Sequence, residues 1–391
     1  MSTAKVISIV HPTGSITNLV NDANGGITIG GTLTANSSAN ITGNVAVTGF
    51  ANVGGTVIMG SSFKRNRIIN GNMVVDQRNA GANVTPTDGQ YTLDRWKFRV
   101  SQTSKLTTQQ NAGSVTTPAG FANYLGVTSS SAYSVTSTDY FVIIQEIEGY
   151  NFSDFDFGTA NAKTLTISFW VRSSLTGTFS ATIRNSASNR SYPFTYTISV
   201  ANTWEQKTTT IAGDTSGTWV GATNGTGLSL IFNLGCGSTY NGTSGSWQAG
   251  NYTSVSGATS VVGTSGATFY ITGVQLEVGT KATPYEFVTY SDQLAQCQRY
   301  YNAYTWASTG WCISSTQGYG GITFPVMRQA PNITDGGSTN VVYGPGGAQS
   351  GTMVYSSITV TRSYITVTVT GGFTVNYPFL MFGLAKMDAE I

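Results

Sequence analysis

The groups in this chain that could do chemistry are few. Asp94 beside Arg95, with Glu146 and Glu148 downstream, could form the paired carboxylates that cleave a glycosidic bond. The competing reading is a set of salt bridges bracing a β framework, and with no second carboxylate cluster that reading is preferred. Ser–His–Asp or Cys–His chemistry would need the single histidine, His11, which sits beside Pro12 near the start of the chain, and both are rejected. Cys236, Cys297 and Cys312 are an odd number with no CxxC or metal-ligand spacing, and read as small buried apolar groups. No catalytic residue, metal or cofactor is expected.

Recognition chemistry is better represented. A sugar packs its C–H face on an aromatic ring while polar neighbours hold its hydroxyls. The loop from Gly237 to Gly257 offers Tyr240, Trp247 and Tyr252 among Ser, Thr, Asn and Gly, a mixture suited to adaptable recognition. A second candidate set, Trp306, Trp311 and Tyr319, lies in an expected turn region from Tyr304 to Tyr319. For both sets the competing reading is packing, under the loop or between protomers. Trp96, Trp170 and Trp204 fall within or beside alternating patterns and are assigned to the core or to sheet edges.

The elements that must position these rings are β-strands. Only 9% of the 391 residues are charged and 47 are Gly, in a background rich in Thr, Ser, Asn, Tyr and β-branched aliphatics. About three folded units are expected at this length. Nineteen basic against 17 acidic residues give a net charge of +2 with no basic block beyond Lys64, Arg65 and Arg67, so no nucleic-acid partner is expected. The first ten residues are too short and weakly apolar for a signal peptide and no stretch could span a bilayer, so no membrane insertion is expected and the chain should be made in a cytoplasm.

Five segments are expected. Residues 1–24, containing His11 and ending near Leu19-Val20, are assigned to docking on a larger assembly. Residues 25–62 alternate with period two in short pieces, Ile27–Ile29, Thr32–Thr34, Asn40–Thr42, Val45–Val47 and Thr56–Ile58, each cut by Gly or Asn. So thin a ladder cannot cover its own apolar side, which predicts a fibrous stem of three chains about a common axis; a disordered linker would hold fewer regularly placed Ile and Val residues. Residues 63–288 carry strands of sandwich length at Tyr140–Ile147, Thr164–Val171, Thr178–Arg184, Phe194–Val200, Glu205–Ile211, Gly227–Leu234 and Thr268–Leu276. Ser291 and Asp292 can cap a helix within residues 289–303, where Leu294, Cys297 and Tyr301 fall at helical spacing and are the expected trimer contacts. Residues 304–391 form a last β unit, with strands near Trp311–Ser314, Gly321–Val326, Thr352–Val360 and Tyr364–Thr370 and an apolar run Tyr377–Leu384 that should be tied down. A homotrimer would also cover much of the weakly charged surface.

The runs NRIINGNMVVDQR (Asn66–Arg78), YTLDRWKF (Tyr91–Phe98), IIQEIEGYN (Ile143–Asn151), ISFWVRSS (Ile167–Ser174), NTWEQKTTTIAGDTSGTW (Asn202–Trp219) and FYITGVQLEVGTKATPYE (Phe269–Glu286), followed by QLAQCQRYY and ITFPVMRQAPNIT, together resemble bacteriophage tail-fibre proteins. The opening STAKVISIVHPTG resembles the starts of short virion fibres that anchor on a phage tail. The middle unit is similar to jelly-roll carbohydrate-binding modules, with Asn70-Gly71-Asn72-Met73 in the first strand and Val274-Gln275-Leu276-Glu277 in the last. The resemblance implies an all-β virion fibre that docks through its N-terminus on tail adaptor or nozzle proteins and recognises a bacterial surface glycan or protein through its distal β domains. The alternative is a structural virion fibre or decoration protein with no receptor site. Such modules often hold calcium through an Asp in the last strand, where Gly273 stands here.

Overall fold

The computed structural model describes residues 64–335, 341–344, 347–369 and 373–391, together with one strand pair nearer the N-terminus. The chain divides into two units, Met1–Met59 and Gly60–Ile391. In the first unit β1 (Leu19–Asn21) pairs antiparallel with β2 (Ile27–Ile29), Val20 opposite Thr28. Of the expected stem strands only Ile27–Ile29 is among the described residues; the other four, and His11, lie outside them.

The second unit opens with β3 (Tyr91–Leu93), β4 (Trp96–Val100), β5 (Leu106–Gln110), β6 (Leu125–Ser129), β7 (Tyr140–Glu148), β8 (Leu165–Ser173) and β9 (Gly177–Arg184). It continues with β10 (Arg190–Ile198), β11 (Glu205–Ile211), β12 (Thr226–Cys236), the two-residue β13 (Asn241–Gly242), β14 (Gln248–Ala249) and β15 (Ser254–Val255), and β16 (Thr268–Val278). Two antiparallel sheets result, in the orders β14-β10-β9-β12-β7-β4-β3 and β11-β8-β16-β6-β5. They pack face to face as a sandwich of jelly-roll type.

Period-two alternation explains the core. Ile167, Phe169 and Val171 of β8 and Leu228, Leu230, Phe232 and Leu234 of β12 are all buried inward, and the Phe169 and Phe232 rings meet edge to face across the layers at 5.1 Å. Each such side chain contributes about 1.5–3 kcal/mol on burial. The opposite face of β8 is covered as well, with Thr166 and Ser168 also buried, which the alternation alone does not reveal. Gly273 sits in the irregular stretch of β16 between Thr272 and Gln275 with φ +61, and a Cβ there would lie 2.6 Å from the Phe121 ring. An Asp does not fit that position, so the last-strand carboxylate that the resemblance implies for calcium has no place at residue 273.

The one α-helix among the described residues, α1 (Tyr290–Gln298), differs from expectation at both ends. Thr289 is its N-cap, accepting from the Asp292 amide, in place of Ser291 or Asp292. The chain leaves the helix at Arg299, so Tyr301 begins a strand. Cys297 and Tyr301 are buried within their own chain, and of the three expected trimer contacts only Leu294, half-buried, keeps surface for another molecule.

Beyond α1 the second unit continues with β17 (Tyr301–Cys312), β18 (Gln317–Thr323), β19 (Asn332–Asp335), β20 (Val341–Gly344), β21 (Gly347–Ser356), β22 (Arg362–Val369) and β23 (Pro378–Asp388). The order β17-β18-β22-β21-β20-β23 closes on itself because β23 also pairs with β17, register Trp306↔Gly383, and β19 extends the edge of β23. Closure removes the exposed edges of a six-stranded sheet. The barrel is filled by Trp306, Val342, Ile365, Val367, Phe379 and Met381, among others. The apolar chain end is tied down as expected. Ala389 is buried, its amide donates to the Tyr300 carbonyl, and the Arg328 guanidinium donates to the Ala389 and Glu390 carbonyls.

Candidate functional site

The carboxylates brace the fold. Asp94 is buried and accepts from the Gln77 backbone and side-chain amides, each at 2.7 Å; burial pushes its carboxyl up to about 7 against those hydrogen bonds. Glu146 pairs with Lys97 at 2.7 Å. Glu148 accepts from Arg299 at 2.6 and 3.0 Å and from the Tyr300 hydroxyl at 2.6 Å. Burial opposes ionisation of Glu148, but the hydrogen bonds from Arg299 and Tyr300 outweigh it and hold the carboxyl below its ordinary range. Among the described residues no group of three or more His, Cys, Asp or Glu is placed to hold a metal ion.

The loop from Gly237 to Gly257 does not present its rings to solvent as a platform. Trp247 meets Trp219 at 5.5 Å, Tyr192 at 5.2 Å and Phe157 at 5.7 Å, and its indole N–H donates to the Ala212 carbonyl. Tyr240 stands edge-on to Tyr140 at 5.6 Å. Tyr252 lies against its own loop, so close that a Cβ on Gly250 would sit 2.6 Å from its ring. The loop is pinned to the seven-stranded sheet through Ser254, which bonds to Ser180 and Asn233. All three rings are half-buried, and the recess left beside Tyr240, of about 90 Å³, is bordered by Arg99, Tyr140 and Arg184.

The second aromatic set splits. Trp306 is inside the barrel. Trp311 and Tyr319 are cross-strand partners on β17 and β18, pointing outward with 56% and 55% of their surface exposed, their Cβ atoms about 5 Å apart by sheet geometry. The expected turn is therefore a hairpin whose strands reach Cys312 and begin at Gln317. Beneath the pair the interior positions Gly310 and Gly318 leave room for Phe379, whose ring lies 2.3 Å from where a Cβ would be on either glycine. Phe379 in turn stacks on Phe373 at 4.9 Å, so the platform rests on a filled core.

The register extends this surface. Pro378, Trp311, Tyr319, Thr366 and Val354 are successive partners across five strands at one level of the barrel wall. Val354, Tyr364 and Leu380, outward-facing at 57%, 52% and 45% exposure, add apolar area that the reading of the sequence did not single out. The signal was present in the run Tyr377–Leu384, apolar at both alternate positions, which a strand with one solvated face would not be.

No family model matches the chain, and no curated protein matches it. Among solved structures it is similar over 55% of its length to the enzymatically active domain of tailspike protein 4 of bacteriophage CBA120, at 12% identity and a TM-score of 0.29, spanning 22% of that chain. It is similar to a putative sugar binding protein from Bacteroides thetaiotaomicron (14% identity, 55% of this chain, 100% of that one, TM-score 0.33). A family 11 carbohydrate-binding module from Clostridium thermocellum also matches (13% identity, 51% and 98% coverage, TM-score 0.26). The sandwich is read from its own strand order and core, which these similarities accompany.

Proposed function

We propose that this protein is a virion tail-fibre component that attaches by its N-terminal segment to tail proteins and recognises a bacterial surface glycan through the outer face of its C-terminal barrel. The observation that carries the recognition half is the exposed cross-strand pair Trp311 and Tyr319, backed by Phe379 and flanked by Thr309 and Thr366. Two adjacent rings on a firm sheet offer apolar area to a sugar face, and neighbouring threonines offer hydroxyl hydrogen bonds. The tail-fibre half rests on the ordered run of motifs from Asn66 onward and on the all-β build. A homotrimer would present three such faces, so a weak single contact would be multiplied in avidity.

A second reading is favoured by the apolar neighbours Val354 and Leu380 on the same wall: the face packs against a neighbouring protomer and the fibre is purely structural. One experiment separates them. The full chain and its Trp311→Ala, Tyr319→Ala double variant are compared for solution mass by light scattering and for adsorption to candidate host cells. Loss of adsorption at unchanged mass supports glycan recognition; a fall in mass supports the structural fibre.

A further inference from the structure

A recess of about 240 Å³ lies where residues 72–74 and 120–123 meet the start of α1 and the chain leading into it. One side of it is aromatic. Phe287 and Tyr290 keep 55% and 58% of their surface exposed. Phe287 meets Phe121 at 5.2 Å and Tyr285 at 4.8 Å, and those two meet each other at 5.1 Å, so the three rings brace one another. Phe121 is also fixed from behind, where its ring fills the space that a Cβ on Gly273 would need. The exposed rings therefore stand on a firm support.

The polar side chains on the recess are carboxamides, and their hydrogen bonds fix which atoms are left over. The Asn111 side-chain oxygen accepts the Tyr124 amide at 3.1 Å, so the Asn111 nitrogen is the atom that donates to Asn123, at 2.7 Å. That bond occupies the Asn123 oxygen, while the Thr272 hydroxyl donates to the Asn123 carbonyl at 2.7 Å and holds its backbone. The Asn123 side-chain nitrogen is left with no hydrogen-bond partner among the described residues, and it is not a buried atom. The Asn72 side-chain nitrogen is in the same state, whereas the Asn72 oxygen is buried. Among the described residues no charged side chain borders the recess.

We propose that this recess binds a neutral N-acetylated sugar, the acetamido carbonyl accepting from the Asn123 and Asn72 nitrogens and the acetamido methyl and adjoining ring face resting on Phe287 and Tyr290. The free groups are donors, so the ligand must bring an acceptor. With no cation beside them, a carboxylate or phosphate would lose its water without a counter-charge, which favours a neutral acceptor. An amide carbonyl carrying a methyl group supplies that acceptor together with apolar surface for the rings. The volume lies below the range of drug-sized sites, about 300–1,000 Å³, and suits one sugar residue in place of a chain. The site shares no residue with the Trp311–Tyr319 face, so the two stand or fall separately.

The test is saturation-transfer NMR on the full chain with N-acetylglucosamine, N-acetylgalactosamine and glucose, with affinities taken from titration. At least one acetamido sugar is expected to bind, its methyl protons receiving the strongest transfer, with glucose weaker by about tenfold or more. Phe287→Ala and Asn123→Asp should each weaken that sugar by about tenfold, whereas Trp311→Ala should leave it unchanged. Asn123→Asp keeps the oxygen that serves Asn111 and removes only the free donor; Phe287→Ala alters an exposed side chain and keeps the test available if Asn123→Asp misfolds. Absence of transfer to both acetamido sugars, equal binding of glucose, or binding that survives both substitutions would overturn the proposal. A fall in the solution mass of Phe287→Ala would assign the rings to a second copy of the chain and would overturn it as well.

Discussion

Arg95 and Glu390, 295 residues apart in sequence, form a buried ion pair between the sandwich and the end of the barrel's last strand, with 1% and 4% of their side chains exposed. Arg95 occupies the turn between β3 and β4 with φ +71, a left-handed conformation that L residues seldom adopt, and its guanidinium lies 3.6 Å from the centre of the Tyr300 ring. Arg78 joins the network, donating to Glu390 at 3.1 Å and to Asp388 at 3.0 Å. Removing one partner of such a pair leaves the other charge buried without compensation. Glu390→Ala should therefore lower unfolding free energy by about 3–5 kcal/mol, against under about 1 kcal/mol for Asp388→Ala, whose side chain is 42% exposed. Chemical denaturation measures both, and equal losses would remove the special status of Glu390.

Acid stability should depend on two aspartates with opposite signs. Burial works against ionisation of Asp139, but hydrogen bonds from Thr136, Ser101 and Tyr133 outweigh it and hold its carboxyl at about 2. Its contribution is present above the ordinary value of 3.8 and is lost as pH falls from there toward 2. Asp94, raised to about 7 by burial, favours the protonated form in the folded state. Its contribution is full below 3.8 and is lost as pH rises through 7. Thermal unfolding followed from pH 2 to 8 should show Asp139→Asn flattening the acid limb and Asp94→Asn flattening the limb between pH 4 and 7.

The exposed aromatic pair should matter for binding and not for folding. Trp311→Ala and Tyr319→Ala are each expected to change stability by no more than about 0.5 kcal/mol, as surface substitutions do, while each weakens adsorption to host cells about tenfold or more. A loss of stability without loss of adsorption would reverse the assignment.

The glycines under that pair should behave in the opposite way. Gly310→Ala or Gly318→Ala places a methyl group 2.3 Å from the Phe379 ring, and overpacking of this kind costs about 1–3 kcal/mol. Denaturant midpoints of the two variants would test it; a midpoint unchanged from the parent would mean that Phe379 moves freely, and the platform would lose its firm backing.

Thiol accessibility gives a further check. Burial pushes the Cys297 thiol well above its ordinary value, and burial likewise raises Cys236 and Cys312. In the native protein at pH 7, Cys297 and Cys312, both buried, should resist alkylation, and all three cysteines should label in guanidinium, as counted by mass spectrometry. Rapid native labelling of Cys297 would show that the contact between α1 and the sandwich opens readily.

The strands of this protein are written locally. The expected strand Glu205–Ile211 is the observed one residue for residue, and Tyr140–Ile147, Gly227–Leu234 and Thr268–Leu276 differ by a residue or two at their ends, because alternation and turn residues act between near neighbours in the chain. The all-β class followed from the same patterns, and in the C-terminal part the expected Tyr364–Thr370 lies close to β22, whereas β17 runs through the expected turn region, Gly321–Val326 and Thr352–Val360 are displaced from β18 and β21, and β19 and β20 were not expected. What tertiary structure alone decided is which aromatic rings are covered. Trp247 and Trp311 both stand among Gly, Ser and Thr, yet Trp247 meets Trp219, Phe157 and Tyr192 while Trp311 faces outward on a barrel. Closure of β17 on β23, the shortening of α1 and the pairing of Arg95 with Glu390 are likewise products of distant segments meeting. Alternation tells which face of a strand a residue is on, but whether that face is covered depends on what lies across the gap, which sequence neighbours do not record.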